Sequence, residues 1–412
     1  MKKTLAAVAV LGAFAGSALA ADVQLYGIVD TGVGYNHVDM DSLDGGILYN
    51  DKNEAAYSFA DSDSFSMMSG QASGSRWGLK GTEDLGNGLT VGFILEDGFT
   101  SDNGADSAPM FNRESSLFVQ GGFGKFAMGR MGSLNNGQSS WAKVGMVSAF
   151  GTSDWGGYSA QLGNIFSLAG QWDNMVAYET PSFAGFKVYA QYAMGSNDNE
   201  NESSSDRYYA IGATYNNGPF AGYFAVDSIN YQTSGLEFDD KYIDDSLTVT
   251  LGGSWNFEVA KVYFGAQYFD EVKLSSIGGI TKTTVSDVNL SKLDKLLPDI
   301  TVGALVKVKG YGISLTADAP VAGGKAMFGV GYVDAEAADS IQDALKDANA
   351  DADLDLKRYV VSVGYDYPFS KRTDVYAVAS YMQDQVDAKL NGSSEDWDPS
   401  AYTLYVGLRH KF

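Results

Sequence analysis

The last eleven residues, 402–412, place the tightest constraint on the fold. Tyr402, Leu404, Val406, Leu408, His410 and Phe412 take alternate positions, and Thr403, Tyr405, Gly407, Arg409 and Lys411 fill the places between them. Alternation with period two puts the first set on one face of an extended strand and the second set on the other. Tyr359, Val361, Val363, Tyr365 and Tyr367 repeat the pattern against Arg358, Ser362, Gly364 and Asp366. Leu247, Val249, Leu251 and Trp255 do so against Thr248, Thr250, Ser254 and Asn256. The second face is small or polar each time, which suits a wet lumen and not a packed core.

The N-terminus indicates the compartment. Met1-Lys2-Lys3 is basic, Leu5 to Gly16 is small and apolar, and Ala18-Leu19-Ala20 has the small-x-small pattern of a signal-peptidase site between Ala20 and Ala21. The run is shorter than the roughly 20 residues a membrane-spanning helix needs. Residues 1–20 are therefore read as a signal peptide, and 21–412 as the exported body. Lys2 and Lys3 leave with the peptide, which moves the net charge from −23 to −25. No later segment approaches 18 consecutive apolar residues. A closed barrel is then the remaining way to cross lipid, because every lipid-exposed backbone group needs a partner. The abundance of Tyr and Phe, 25 and 22 residues, fits the aromatic rims of such a barrel.

Composition also excludes chemistries. The absence of Cys removes disulfides, thiol nucleophiles and Cys-bound metals. The two histidines, His37 and His410, stand at opposite ends, so neither a His-based metal site nor a triad is expected. No cofactor is expected, and the acidic charge argues against nucleic acid as a partner.

Tight turns at Leu85-Gly86-Asn87-Gly88, Gly121-Gly122-Phe123-Gly124, Asn216-Asn217-Gly218-Pro219, Ala322-Gly323-Gly324 and Phe369-Ser370-Lys371 alternate with long acidic segments at 36–72, 100–109, 196–206, 230–245, 273–298, 334–355 and 386–398. Short turns at one end and long loops at the other are the asymmetry of an outer-membrane barrel. About sixteen antiparallel strands are predicted, near 22–36, 73–83, 88–99, 111–121, 123–132, 172–180, 184–195, 207–217, 219–229, 246–256, 259–272, 299–320, 324–335, 356–368, 373–385 and 400–412. The fold class is thus all-β, a transmembrane antiparallel β-barrel. Segment 133–171 differs from the other long connections. It holds one acid, Asp154, one base, Lys143, and the apolar anchors Trp141, Phe150, Trp155, Tyr158 and Phe166. A loop of this kind packs against something, and inside a wide barrel that is the lumen wall.

These residues resemble the general porins of β-proteobacteria. Val23-Gln24-Leu25-Tyr26-Gly27-Ile28-Val29-Asp30 resembles their first strand. The stretch from Ser75-Arg76-Trp77-Gly78-Leu79-Lys80-Gly81 to Glu96-Asp97-Gly98-Phe99 resembles the second and third. Phe111-Asn112-Arg113 through Gly124, with Gly129-Arg130, resembles the fourth and fifth. Asp173-Asn174 and Tyr178-Glu179-Thr180-Pro181-Ser182-Phe183 resemble the sixth strand and its turn, and a terminal Phe completes the match. The resemblance implies a homotrimer of sixteen-stranded barrels, each with an inward-folded constriction loop, passing ions and small hydrophilic solutes. It implies that Arg76, Lys80 and Arg113 form a basic wall with Glu96 as a wall acid, and that 133–171 is the inward loop with Asp154 its acid. Arg130 matches a wall arginine of the constriction or of the subunit interface. It implies too that the insertion machinery of the outer membrane reads Phe412, and that lipid surrounds the barrel. One departure is Gln171-Trp172, where the family often has a base.

Parity supports the charged wall. Arg76, Lys80 and Thr82 alternate with Trp77, Leu79 and Gly81. A charge on the lipid face near the midplane would cost roughly 2–4 kcal/mol, so the charged set faces the lumen. Tyr26, Tyr189, Tyr263 and Tyr405 fall on lumen parity, where they would form a sugar-guiding track, but interface girdles are the commoner use of Tyr and are the reading taken. Asp347 to Asp355 resembles a calcium-loop spacing without its glycine or distal Glu, and reads as a solvated acidic loop with a short helix around Ile341, Leu345 and Ala348. With 51 acids in the chain, a slight cation preference at low salt is expected. A general diffusion channel is the reading, and no enzyme. Its rivals are a substrate-selective channel and an adhesin or receptor on a closed barrel.

Overall fold

A computed structural model describes residues 22–40, 61–106, 109–195, 205–231, 244–280, 307–347, 352–390 and 393–412. The cleavage pair Ala20-Ala21 lies outside them, as do the interiors of several acidic loops. The described strand segments are β1 (Gln24–Asp39), β2 (Ser62–Ser69), β3 (Arg76–Gly86), β4 (Leu89–Gly98), β5 (Glu114–Gly121), β6 (Gly124–Gly132), β7 (Gln171–Glu179), β8 (Phe186–Ala193) and β9 (Arg207–Asn217). They continue as β10 (Phe220–Asn230), β11 (Ser246–Asn256), β12 (Lys261–Lys273), β13 (Lys307–Val321), β14 (Gly324–Ala337), β15 (Ala352–Pro368), β16 (Thr373–Leu390), β17 (Ser393–Trp397) and β18 (Ser400–Lys411).

All pairings are antiparallel, and β18 closes on β1 from Ile28↔Lys411 to Asp39↔Ser400. Eighteen segments make sixteen wall positions. β2 and β3 lie end to end on one edge of β1, pairing through Val38↔Ser62 and Gln24↔Lys80 respectively. β17 and β18 likewise share one edge of β16. The chain is therefore a closed sixteen-strand barrel whose second and last strands are each broken once.

Burial follows the alternation. On β18, Leu404, Val406 and Leu408 are about half exposed while Ala401, Thr403 and Tyr405 are buried. On β11, Leu247, Leu251 and Trp255 are exposed, and Ser246, Thr248, Thr250 and Ser254 are buried. Apolar outside and polar inside is the reverse of a soluble core and is stable only in lipid. Aromatic rings band both rims. Phe220, Trp255 and Phe257 stand about one ring apart at the short-turn end, and Tyr311, Tyr332 and Tyr359 do so at the other. The turn at Asn87-Gly88 shows why the short end is Gly-rich. Both residues have positive φ, 53° and 75°, as a two-residue hairpin matched to strand twist requires.

Three sequence expectations change. Tyr189, Tyr263 and Tyr405 are buried on the inner face and Tyr26 shares their side, so none belongs to a girdle. Their place in the alternation sets their face, whatever the commoner use of Tyr at the rims. Residues 62–69, expected within a loop, form β2, with Phe65 and Met67 pointing outward. The segments 334–355 and 386–398 are largely structured: β14 runs to Ala337, a helix α1 covers Asp339–Asp347, β15 begins at Ala352, and β16 reaches Leu390. Hydropathy reports the height of the lipid band, whereas ladder hydrogen bonds continue beyond it in water. Ile341 and Leu345 fall inside α1, and Ala348 lies outside the described residues. Residues 299–306 also lie outside them, and the described remainder of that predicted strand is β13 from Lys307.

Candidate pore constriction

Three neighbouring strands present the charges. Gly78 on β3 pairs with Tyr26 on β1 and with Glu96 on β4. A Cβ at Gly78 would lie 2.8 Å from the Tyr26 ring, so the glycine lets Tyr26 lie across β3. Its hydroxyl then donates to Glu96 Oε2 at 3.0 Å. Arg113, immediately before β5, donates from Nε to Glu96 Oε1 at 2.7 Å. Arg76 Nε lies 3.5 Å from Oε2 of the same carboxylate. Lys80, one turn of the pleat away, holds its ammonium 5.1 Å from the Tyr26 ring centre.

The facing surface is the connection from β6 to β7. Glu114 accepts from Ser139 Oγ, Ser140 N and Ser140 Oγ, three donors that tie the start of the connection to β5, and from Ser116 Oγ on its own strand. Gln138 Oε1 accepts from Arg113 Nη1 at 2.9 Å and from Gln171 Nε2 at 2.8 Å. Further along, wall side chains catch the connection's backbone. Gln191 Oε1 takes Leu134 N, Thr316 Oγ1 takes Ala149 N, Ser362 Oγ takes Ala160 N, and Gln267 Oε1 takes Ser167 N, all within 2.9 Å. These partners stand on β8, β13, β15 and β12, each on the face opposite the exposed apolar one. Trp141, Val144, Val147, Phe150, Ile165 and Phe166 are at most 2% exposed, so the connection's apolar side rests on the wall. Wall glycines make the space: a Cβ at Gly252 would meet Val147 at 2.8 Å, and one at Gly331 would meet Ile165 at 2.3 Å.

Arg358 is an inner-wall anchor. It is fully buried and forks onto Asp384 with bonds of 2.6 and 2.8 Å. Its Nη1 also donates to the carbonyls of Asn164 and Gly278. Sequence parity puts Arg358 on the lumen face, but nothing in it showed this clamp. Glu114 and the Arg409–Asp374–Asp366 group were missed in the same way.

Arg76, Lys80, Glu96, Arg113 and Asp154 line one cavity of about 470 Å³, with Glu114 beside them. Arg130 does not join them. Its partner in the ladder is Ser115, and it shares a face with Met128 and Leu117, both about half exposed. It therefore stands on the outer wall, where Nη1 pairs with Asp173 at 2.5 Å. The sequence held this signal, since Phe126, Met128 and Arg130 alternate. Trp172, at the departure from the family pattern, stacks on Tyr208 at 5.3 Å. Lys143, in the connection, donates to Ser140 O at 2.8 Å, and burial pulls its ammonium down to about 8. Phe412 closes the barrel through two backbone bonds with Gly27, and its ring covers that glycine on the outer face.

Comparison with known proteins gives a consistent picture. A family model described as Gram-negative porin matches residues 6–387. An outer membrane porin of Bordetella pertussis is 32% identical over the full length of both chains. Outer membrane porin protein 32 of Delftia acidovorans is 29% identical, also over the full length of both. Among solved structures, an anion-selective porin from Comamonas acidovorans is similar in fold, with TM-score 0.63 and 24% identity, over 95% of this chain and 100% of that one.

Proposed function

Since the chain belongs to the Gram-negative porin family, an outer-membrane protein, we propose that it is a general diffusion porin whose narrowest point lies between the Arg76–Lys80–Arg113 wall and Asp154. The observation that carries this reading is the cavity where those four side chains meet Glu96. Basic groups on a wall opposite an acid on the β6–β7 connection set up a transverse field. Such a field orients dipolar solutes and disfavours apolar ones without binding any of them tightly. Segment 133–171 is the constriction loop in this reading, supported by its hydrogen bonds to four inner-wall strands.

Charge at the narrow point is balanced. Arg76, Lys80 and Arg113 are matched by Glu96 and Glu114 on their own wall and by Asp154 on the connection. The acidic excess of the whole chain then decides the sign at low salt, giving a slight cation preference that fades as salt screens it beyond about 10 Å. Residues 1–20 direct export, Phe412 marks the chain for insertion, and three copies assemble. The outer-wall pair Arg130–Asp173 supports assembly, because charge on the lipid face is costly unless another surface covers it.

The test is single-channel recording in a planar bilayer with the native trimer. Ohmic steps in threes are expected. Saturation by one solute would point instead to a substrate-selective channel, and silence to an adhesin or receptor.

A further inference from the structure

Asp30, on β1, is fully buried close to the cavity. Register sets it opposite Arg409. That guanidinium nevertheless reaches for Asp374 at 2.9 Å and Asp366 at 3.1 Å. Asp30 is held by dipoles. Its Oδ2 accepts from the consecutive amides of Ala72 at 3.0 Å and Ser73 at 2.7 Å, and its Oδ1 accepts from the Tyr376 hydroxyl at 2.5 Å. Consecutive amides converging on one anion form a nest, which fixes the backbone that supplies them. Tyr376 is itself seated, since its ring covers Gly407, where a Cβ would come within 2.4 Å.

The nest belongs to residues 70–75, the break between β2 and β3. Two connections leave it. Arg76 Nη1 donates back to Gly74 O at 2.9 Å and Ser73 Oγ at 3.4 Å, which aims the guanidinium. Gln71 reaches the other way: its carbonyl accepts from Trp155 N and its Oε1 from Gly156 N, both at 2.8 Å. Trp155 follows Asp154 directly and holds φ at 49°, a conformation a bulky side chain resists. Its ring meets Tyr376 edge-on at 5.4 Å. A wall base and the facing acid are thus tied to one short break, and that break is tied to Asp30.

We infer that Asp30 is the positioning residue that sets the gap between Arg76 and Asp154, acting through residues 70–75 and touching no solute itself. The inference rests on the channel reading above. Asp30→Asn keeps the size of the side chain but removes the charge and turns one acceptor into a donor facing other donors. Tyr376→Phe removes one bond and no charge.

Both variants are refolded as trimers and recorded in 1 M salt, where screening over about 3 Å mutes any direct effect of a lost charge. The expected result is loss of the single uniform step, replaced by sublevels with more open-channel noise, in D30N and more weakly in Y376F. Under a salt gradient D30N should also shift the reversal potential by displacing Arg76, and that shift should disappear in an R76Q background. Uniform wild-type steps in both variants would overturn the inference. If D30N does not fold, Y376F and Q71A decide the question by the same recordings. Limited proteolysis gives an answer that does not need conductance: residues 70–75 become cleavable in the variants and stay protected in wild type. A silent wild-type protein would sink the channel reading, whereas unchanged protection in every variant would sink this one.

Discussion

Arg113 and Glu96 form the shortest ion pair of the candidate constriction, Nε to Oε1 at 2.7 Å, and Arg76 leans on the other oxygen of the same carboxylate at 3.5 Å. One acid thus holds two bases in place and offsets only one of their charges. Tyr26 adds a neutral donor to Oε2. At this carboxylate the bases outnumber the acid two to one, although the cavity as a whole is balanced, and that local ratio can be altered from either side.

Neutralising both Arg76 and Arg113 to Gln should raise the cation-to-anion permeability ratio, while E96Q should lower it. One unit charge about 5 Å from an ion's path in water is worth about 0.8 kcal/mol, or about fourfold, before screening. Reversal potentials under a salt gradient read both shifts. Movement in the same direction for the two variants would remove these residues from the ion path.

Deleting the centre of the β6–β7 connection should enlarge conductance and the size limit for sugars. The milder T316V and S362A pair removes two acceptors that catch Ala149 N and Ala160 N, so it should raise noise and leave the mean step near wild type. Liposome swelling with sugars of graded size checks the first expectation. An unchanged limit would put the obstruction elsewhere.

Channel selectivity should vary with pH around Lys143, whose ammonium is pulled down to about 8 by burial. Below that pH the group is charged and favours anions; above it the charge is lost and cation preference rises. Most of the change should fall within about one unit either side of the midpoint. K143M should abolish it while leaving any slower drift, and a titration that survives K143M assigns it to another group.

Replacing Asp173 by Asn removes the counter-charge of Arg130 on the outer wall, where its Nε still donates to the Asn112 carbonyl at 2.8 Å. A charge-assisted hydrogen bond is worth roughly 1.5–3 kcal/mol, so the proposed trimer should dissociate at lower temperature on heat-modifiability gels. Its reversal potential should match wild type, because the pair faces away from the lumen. A selectivity change in D173N would contradict that placement.

The C-terminus offers a comparison of two adjacent residues. Phe412 covers Gly27 on the outer face, and a Cβ there would sit 2.3 Å from its ring. Substituting Asp for Phe412 should cut the yield of folded barrel in the outer membrane far more than the same change at Lys411. G27A should mimic the loss in part by displacing the ring. Equal yields for F412D and K411D would take away the role assigned to the terminal aromatic.

Counting by twos along the chain was enough to separate a lipid face from a wet one, because in a strand the side of each residue depends only on its number. The same count turns Arg76, Lys80 and Arg358 inward and Arg130 outward with Met128 and Phe126, against the constriction role the resemblance implied for it. The N-terminal pattern that reads as an export signal, with no apolar run long enough for a spanning helix, then left a closed barrel. What counting cannot supply is which inward residues meet. Asp30 and Tyr376 are 346 positions apart, and Arg358 and Asn164 are 194 apart. The breaks after β2 and before β18, and the glycines that receive Val147 and Ile165, were equally hidden. Such contacts exist only after the last strand closes on the first and the β6–β7 connection settles at one height inside. Alternation fixes which way a side chain points; closure, register and the path of the inner segment fix what it reaches.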